Sequence, residues 1–317
     1  MRIVLWATFA KTELVERLET ILGEDLVVVS DFKEFEKAIG NADALICPDP
    51  VYNAQVAEAV RAKAGRLRWL QLLTQGFEHA QSNGVPAGVT VCNAGDAYSP
   101  AVAMHAVSLL LALQRRFPVM LANQGKRAWE RTISTQLASP AAATIAILGF
   151  GSIGQEVARL VRPFGAKIVS LTRSAAPLAL ADEALPISEL HAVLPRADAV
   201  VIAMPLEAAT RRLIGAKELA LFRKTAVLVN ISRGGIVDTA ALVDALHNGT
   251  IAGAGLDVTD PEPLPADHPL WAAPNLIISP HLAAAVGRTG YNRLADIAAK
   301  NVERFRAGAP LAHTVSL

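Results

Sequence analysis

The chain has 317 residues and carries 30 Lys and Arg against 29 Asp and Glu, which gives a formal net charge of +1. This balance, without any run of basic residues, argues against nucleic acid or an anionic membrane as a partner and favours a small-molecule ligand. Hydrophobic residues make up 52% of the sequence, enough for two domains of about 150 residues that each have a core.

The N-terminal third of the chain alternates short apolar runs with amphipathic segments. The apolar runs predict strands over residues 2–6, 26–30, 44–47, 69–72 and 90–92. The segments between them predict helices or turns over residues 11–22, 32–39, 54–64 and 77–81. Strands and helices that alternate in this way are typical of a parallel sheet with helices on its faces.

The apolar start of the chain and its two cysteines bear on where the protein resides. Residues 1–10 lack the small-residue cleavage pattern of a signal peptide, so we interpret them as a buried strand and expect a cytoplasmic protein. The longest apolar run, residues 106–113, is far too short to cross a bilayer. Cys47 and Cys92 lie in apolar stretches, which predicts buried thiols rather than a disulfide framework.

A second alternating series follows a long helix that Pro100 opens and that is predicted over residues 101–116. Strands are predicted over residues 144–148, 167–171, 199–203, 226–230, 253–256 and 276–279, with helices over 153–161, 187–194, 217–220 and 239–248. Six strands are the number in a full dinucleotide-binding sheet. The helical tail over residues 284–305 has no sheet of its own to cover, so we expect it to return to the first domain.

A glycine-rich turn joins the first strand of this series to a helix. Gly149 permits a tight turn, Gly151 lets a pyrophosphate approach the backbone, and Gly154 lets helix and strand pack closely. The N-terminus of the helix offers N–H groups to the phosphates. A plain strand-to-helix turn is the alternative, but the order of strand, loop and helix favours a dinucleotide site. The candidate cofactor-binding residues of this turn are Gly149, Phe150, Gly151, Ser152, Ile153 and Gly154.

The next predicted strand lacks the acidic residue that usually accepts the ribose 2′-hydroxyl of NAD. It ends in Thr172, Arg173 and Ser174, and the next acid along the chain is Asp182. A neutral residue beside an arginine suits a 2′-phosphate, so the predicted cofactor is NADP, with NAD possible. The alternative is that Arg173 is a solvated residue at the end of a strand.

Three polar groups follow consecutive predicted strands, at the edge where open parallel sheets bind ligands. They are Arg233 before two glycines, Glu262 between two prolines, and His281 after Pro280. Reduction of a 2-oxo acid needs a cation for the carboxylate, a proton donor for the forming alkoxide, and a carboxylate that keeps the donor protonated. Glu262 alone could be a loop residue and His281 alone a helix cap. The three together favour an active site.

These groups closely resemble the D-isomer-specific 2-hydroxyacid dehydrogenase family. The resemblance spans nearly the whole chain, is strongest over residues 149–281, and includes the segments 204–206, 210, 213–214 and 268–271. It implies that Arg233 binds the substrate carboxylate and carbonyl, that His281 donates the proton, and that Glu262 pairs with His281. No metal is implied.

The resemblance also implies further cofactor contacts and a domain arrangement. It places six residues beside the cofactor, with Asp257 near the nicotinamide carboxamide and with Ile231 and Ser232 packing through their backbone: Met204, Pro205, Thr210, Ile231, Ser232 and Asp257. It implies two doubly wound α/β domains, in which a Rossmann cofactor domain (residues 100–283) is inserted into a flavodoxin-like substrate domain (residues 1–99 and 284–317). It further implies a homodimer.

A loop of the first domain resembles the family loop whose backbone N–H groups hold the substrate carboxylate. Its candidate residues are Thr74, Gln75 and Gly76, of which the first two are bulkier than is common there. Met104 stands where the family usually has Glu, and the neighbouring His105 is predicted to be structural. These departures leave the acid open among glyoxylate, hydroxypyruvate, phenylpyruvate and larger 2-oxo acids.

Two other functions compete with this interpretation. A formate dehydrogenase would pair the catalytic histidine with Gln and use NAD, and both Glu262 and Arg173 argue against it. A non-catalytic protein that senses a dinucleotide and binds a protein partner, as the related co-repressors do, would not need the trio Arg233, Glu262 and His281. The D configuration of the product rests on the family resemblance alone.

Overall fold

The computed structural model describes residues 1–174 and 178–317, which form two compact units. One unit comprises Met1–Tyr98 and Val286–Leu317, and the other comprises Ser99–Ala285. Each unit contains a sheet of parallel strands with helices between them, which confirms the predicted α/β fold class.

The first unit begins with five strands and four helices. The strands are β1 (Ile3–Leu5), β2 (Leu26–Val28), β3 (Ala44–Cys47), β4 (Trp69–Leu72) and β5 (Thr90–Cys92). The helices are α1 (Lys11–Leu22), α2 (Phe32–Ala38), α3 (Ala54–Lys63) and α4 (Glu78–Asn83). Side-chain caps fix two helix starts: Asp31 accepts a hydrogen bond from the Glu34 amide of α2, and Asn53 accepts one from the Val56 amide of α3.

The second unit contains seven strands and six helices among its described residues. The strands are β6 (Thr144–Leu148), β7 (Lys167–Thr172), β8 (Glu183–Pro186), β9 (Ala199–Ile202), β10 (Val227–Asn230), β11 (Gly253–Leu256) and β12 (Leu276–Ile278). The helices are α5 (Ser99–Gln114), α6 (Phe117–Gly125), α7 (Ser152–Val161), α8 (Leu190–Val193), α9 (Ala216–Leu219) and α10 (Thr239–His247). The chain then returns to the first unit with α11 (Arg288–Arg306) and β13 (Thr314–Val315).

Strand order places the chain turns that matter for function. The first sheet runs β13-β5-β4-β3-β1-β2, and β13 is its antiparallel strand. The second sheet runs β12-β11-β10-β9-β6-β7-β8 and is parallel throughout. The order reverses beside β6, so the turn after β6 lies where open α/β sheets bind their ligands.

Two elements of the second unit are absent from the sequence-based prediction. β8 pairs with β7 at the sheet edge and is only half-buried, so its sequence lacks the apolar run that marks a buried strand. α6 buries none of its residues, and its nine residues are too few for a helical period to be clear in the sequence. A half-buried edge strand and an unburied helix both give weak sequence signals.

Both cysteines are free and buried, as predicted. Burial raises the pKa of the Cys92 thiol to about 11, which makes this thiol unreactive near neutral pH. In the described part of the chain, no helix is long and apolar enough to cross a membrane. Residues 1–174 and 178–317 also contain no group of three or more His, Cys, Asp or Glu placed to hold a metal ion.

Candidate active site

The glycine turn after β6 has the backbone geometry that a pyrophosphate site needs. Gly149 has a φ of +90°, and a Cβ there would lie 2.6 Å from the carbonyl oxygen of Ala203. A Cβ on Gly154 would lie 2.2 Å from the carbonyl oxygen of Gly149, so helix and turn pack too closely for a side chain. At Gly151 a Cβ would meet nothing within 4 Å. Open space above a bare backbone fits the pyrophosphate of a dinucleotide.

The first turn of α7 completes this cradle. Ser152 begins the helix, and its hydroxyl oxygen lies 2.9 Å from that of Ser99. The Gln155 side chain donates through Nε2 to the carbonyl oxygen of Phe150 at 3.1 Å, which fixes the turn, and Ile153 is half-buried. The first backbone N–H groups of a helix have no partner within the helix, so this turn suits phosphate oxygens.

The segment after β7 carries no acid, as the sequence indicates, but an acid lies near it. Thr172 ends β7, and both Arg173 and Ser174 are exposed. The Arg173 guanidinium lies 3.9 Å from the carboxylate of Glu207, which follows β9. The sequence alone does not indicate this contact. Glu207 reaches Arg173 because of the order of the strands in the sheet, which the sequence spacing does not reveal.

The segment after β9 is a closed turn. The Thr210 hydroxyl donates to the carbonyl oxygen of Pro205 at 2.8 Å and accepts from the Glu207 amide at 2.7 Å. The carbonyl oxygen of Met204 accepts a hydrogen bond from the Ser232 hydroxyl, which ties this turn to the segment after β10. The predicted roles of these residues beside a cofactor stay predictions.

Arg233 is held at the end of β10 by its neighbours. The buried Asn230 side chain accepts from the Ser232 amide at 3.1 Å and donates to the Arg233 carbonyl oxygen at 3.0 Å. The half-buried Arg233 guanidinium donates to the carbonyl oxygen of Ser232 at 2.9 Å. A Cβ on Gly234 would lie 2.0 Å from the carbonyl of Thr259, so glycine here lets the Arg233 segment pack against the segment that follows β11.

The structure brings Glu262 and His281 into contact. His281 Nδ1 lies 2.6 Å from Glu262 Oε1, and the two side chains are 46% and 41% exposed. The residues follow β11 and β12, which are neighbours in the sheet, and β10 with Arg233 adjoins β11. The contact engages Nδ1 with a carboxylate, so Nε2 is the ring nitrogen left for a proton transfer.

A buried carboxylate behind His281 fixes its backbone. Asp257 is 1% exposed, and its carboxylate accepts from the Ser279 hydroxyl at 2.6 Å and from the Leu282 and Ala283 amides at 2.8 and 2.9 Å. The His281 amide donates to the Asp257 carbonyl oxygen at 2.8 Å. His281 has a φ of 54°, a left-handed conformation that costs about 1–3 kcal/mol and needs such bonds to persist. Asp257 therefore positions His281, and its predicted contact with a nicotinamide stays a prediction.

His105 of α5 extends this cluster. Its Nε2 lies 2.8 Å from the Ser279 hydroxyl and 3.5 Å from the Asp257 carboxylate. These contacts give His105 a supporting role, in line with its interpretation as structural. Ser279 joins His105 to Asp257 and is a further residue of the cluster that the sequence does not indicate. Met104 beside it is 62% exposed.

The loop of residues 74–76 lies in the first unit and is held by buried polar groups. The Thr74 hydroxyl accepts from the Asp49 amide at 3.2 Å and donates to the Gly76 carbonyl oxygen at 2.9 Å. The Asn93 side chain donates through Nδ2 to the carbonyl oxygen of the exposed Gln75 at 2.9 Å. The loop is therefore fixed in conformation, while its predicted contact with a substrate stays a prediction.

The chain matches the sequence model of a known protein family and several of its relatives. A sequence model described as D-isomer specific 2-hydroxyacid dehydrogenase, NAD binding domain, matches residues 107–283. The chain is 34% identical to a glyoxylate reductase of Thermococcus gammatolerans, over 85% of this chain and 81% of that protein. It is 32% identical to the glyoxylate reductase/hydroxypyruvate reductase of Homo sapiens, over 90% of this chain and 87% of that protein.

A solved structure agrees with these matches. The crystal structure of a D-isomer specific 2-hydroxyacid dehydrogenase family protein from Aeromonas salmonicida has a TM-score of 0.85 to this chain and is 29% identical to it. The match covers 99% of this chain and 98% of that chain. The fold, the glycine turn and the sequence matches agree, and the chain belongs to the D-isomer specific 2-hydroxyacid dehydrogenase family.

Proposed function

We propose that this protein transfers a hydride from a nicotinamide dinucleotide to a small 2-oxo acid and releases a D-2-hydroxy acid. The observation that carries the proposal is the 2.6 Å contact between His281 Nδ1 and Glu262 Oε1, whose residues follow β12 and β11, and β11 adjoins β10, the strand before Arg233. The two reductases described above support glyoxylate and hydroxypyruvate as the first acids to test.

The cofactor would occupy the carboxyl edge of the second sheet. The turn Gly149–Gly154 would hold its pyrophosphate, and Thr172–Ser174 would surround the 2′-position of its adenosine ribose. Ile231 and Ser232 would pack beside its nicotinamide. When bound, the reduced nicotinamide supplies a hydride to the carbonyl carbon of the acid.

Three side chains would complete the reduction. Arg233 would bind the carboxylate and carbonyl oxygen of the acid through its planar guanidinium. His281 would donate its Nε2 proton to the carbonyl oxygen as the alkoxide forms. Glu262 would orient the imidazole, because its carboxylate lies 2.6 Å from Nδ1 and leaves Nε2 facing the substrate. One hydride on the carbonyl carbon and one proton on its oxygen convert the carbonyl group to a hydroxyl group.

A panel of acids tests this function. The purified protein is mixed with NADPH or NADH and with glyoxylate, hydroxypyruvate or phenylpyruvate, and oxidation of the cofactor is followed by absorbance. We expect turnover with glyoxylate or hydroxypyruvate, a D-configured product from a prochiral acid such as hydroxypyruvate, and a higher kcat/KM with NADPH than with NADH. Dinucleotide binding without turnover of any acid would instead support the alternative, a non-catalytic sensor, and a preference for NADH would contradict the cofactor assignment.

We further propose a homodimer in the cytoplasm. α6 has no buried residue, Phe117 and Leu121 on it are 50% and 66% exposed, and Trp129 after it is 95% exposed. Exposed apolar side chains on one segment favour a protein interface, and a second copy would cover them. Free thiols at Cys47 and Cys92 fit a reducing compartment, which cell fractionation checks.

The dimer prediction concerns this segment. Light scattering is expected to give twice the chain mass for the wild-type protein and a shift toward the single-chain mass for the double variant Leu121→Ser, Trp129→Ala. Thr20→Ser, a conservative change of an exposed side chain on α1, serves as the control and should leave the measured mass unchanged. A monomeric wild-type protein, or a double variant that stays dimeric, would contradict an interface at α6.

A further inference from the structure

An ion pair spans the glycine turn at the adenosine end of the dinucleotide site. Arg173 follows β7 and Glu207 follows β9, and β6 with its glycine turn lies between these strands in the sheet. The Arg173 guanidinium and the Glu207 carboxylate lie 3.9 Å apart. The site of the 2′-phosphate in NADP(H) thus carries a positive charge that already faces a negative one.

We propose that Glu207 is a cofactor-specificity residue that lowers the preference of this protein for a 2′-phosphate, by competing with the phosphate for Arg173 and repelling it. The inference rests on the proposed dinucleotide-dependent function and identifies a residue that limits the preference for NADP(H) over NAD(H). It predicts a moderate preference for NADPH that a single neutral substitution strengthens.

Glu207 is the fixed member of the pair. Its amide donates to the Thr210 hydroxyl at 2.7 Å, and its carbonyl oxygen accepts from the Thr210 and Arg211 amides, both at 3.0 Å. The Arg173 side chain is 86% exposed, against 46% for Glu207. The backbone that carries the carboxylate is therefore fixed, while the more exposed guanidinium is free to turn between carboxylate and phosphate.

Neighbouring arginines do not pair with the Glu207 carboxylate, because they pair with other acids. Arg211 lies 3.9 Å from Asp260, and Arg212 lies 4.0 Å from Asp238, so both face other acids. A 2′-phosphate carries between one and two negative charges near neutral pH, and a carboxylate beside the same guanidinium repels it. Exposed charges interact weakly, so the expected effect on affinity is about 3- to 10-fold.

The test measures binding rather than turnover. Calorimetry gives Kd values for adenosine 2′,5′-bisphosphate and for adenosine 5′-monophosphate, which differ only in the 2′-phosphate. Glu207→Gln is expected to tighten the bisphosphate about 3- to 10-fold and to change the monophosphate less than about twofold. Arg173→Ala is expected to weaken the bisphosphate. When Arg173 is already alanine, Glu207→Gln should increase the affinity for the bisphosphate by a smaller factor, because Glu207 acts by competing for the Arg173 guanidinium.

Asp244→Asn is the matched control. It removes one negative charge from the exposed side chain at position 244 on α10 of the same unit and should leave both Kd values unchanged. An equal gain from Asp244→Asn would overturn the proposal, because the effect would then come from net charge. An unchanged ratio of the two Kd values in Glu207→Gln would overturn it as well.

A different result separates failure of the proposed function from failure of this inference. If the wild-type protein bound neither nucleotide, the dinucleotide site itself would be wrong, and the role of Glu207 with it. If both bind and Glu207→Gln behaves as expected, the ratio of kcat/KM for NADPH to that for NADH should rise by a similar factor. A ratio that falls would contradict the proposal.

Discussion

Replacing His281 with alanine is expected to lower kcat for 2-oxo acid reduction by about 100- to 10,000-fold, the usual range for a positioned acid–base group. The variant lacks the imidazole that would protonate the alkoxide, so water must supply the proton. His247→Ala is the control: this histidine is exposed on α10, where its Nδ1 lies 2.9 Å from the Val243 carbonyl oxygen. Steady-state kcat, with binding of the dinucleotide retained, gives the measurement.

The same site gives a second result when Glu262 becomes glutamine. The amide keeps the shape of the side chain that lies 2.6 Å from His281 Nδ1 but removes its negative charge. A hydrogen bond to a charged group is about twice as strong as a neutral one, so kcat is expected to fall about 10-fold while binding of the dinucleotide is retained. A kcat equal to that of the wild-type protein would show that this contact does not contribute to proton transfer.

The strands of both sheets other than β8 and β13 could be predicted from sequence because their signal is local. Thr144–Leu148 and Ala44–Cys47 have the predicted bounds, since strands buried on both faces of a parallel sheet form continuous apolar runs. The candidate catalytic residues could be predicted for a related reason. Residues that follow neighbouring parallel strands emerge at one edge, so the sequence positions of Glu262 and His281 predict that they meet.

The contacts that position these residues could not be predicted in the same way. Asp257 binds the segment that carries His281, and His105 contacts Ser279 from a distant helix. Such bonds depend on how side chains pack after the sheet forms. The pairing of Arg173 with Glu207 depends on strand order, which places β6 between the strands that precede them. Sequence spacing carries neither kind of information.

Arg233→Lys is expected to lower kcat/KM for a 2-oxo acid by about 10- to 100-fold, although the positive charge is kept. A guanidinium can bind a carboxylate through two parallel N–H groups, whereas an ammonium offers a single point charge on a flexible chain. The Asn230 side chain and Gly234 fix the backbone of Arg233 after β10. A lysine at this position would therefore keep the same backbone position and lose only the planar guanidinium.

The opposite end of the same strand supplies the control for this prediction. Arg223 precedes β10, is 48% exposed and pairs with Asp198, away from the edge that carries the candidate catalytic residues. Arg223→Lys should keep kcat/KM within about twofold of wild type, since an exposed ion pair contributes little. The rate of both variants is measured as a function of the 2-oxo acid concentration at saturating NADPH. This dependence distinguishes a loss of substrate binding from a general effect on folding. Equal kcat/KM for Arg233→Lys and Arg223→Lys would mean that Arg233 does not bind the substrate carboxylate.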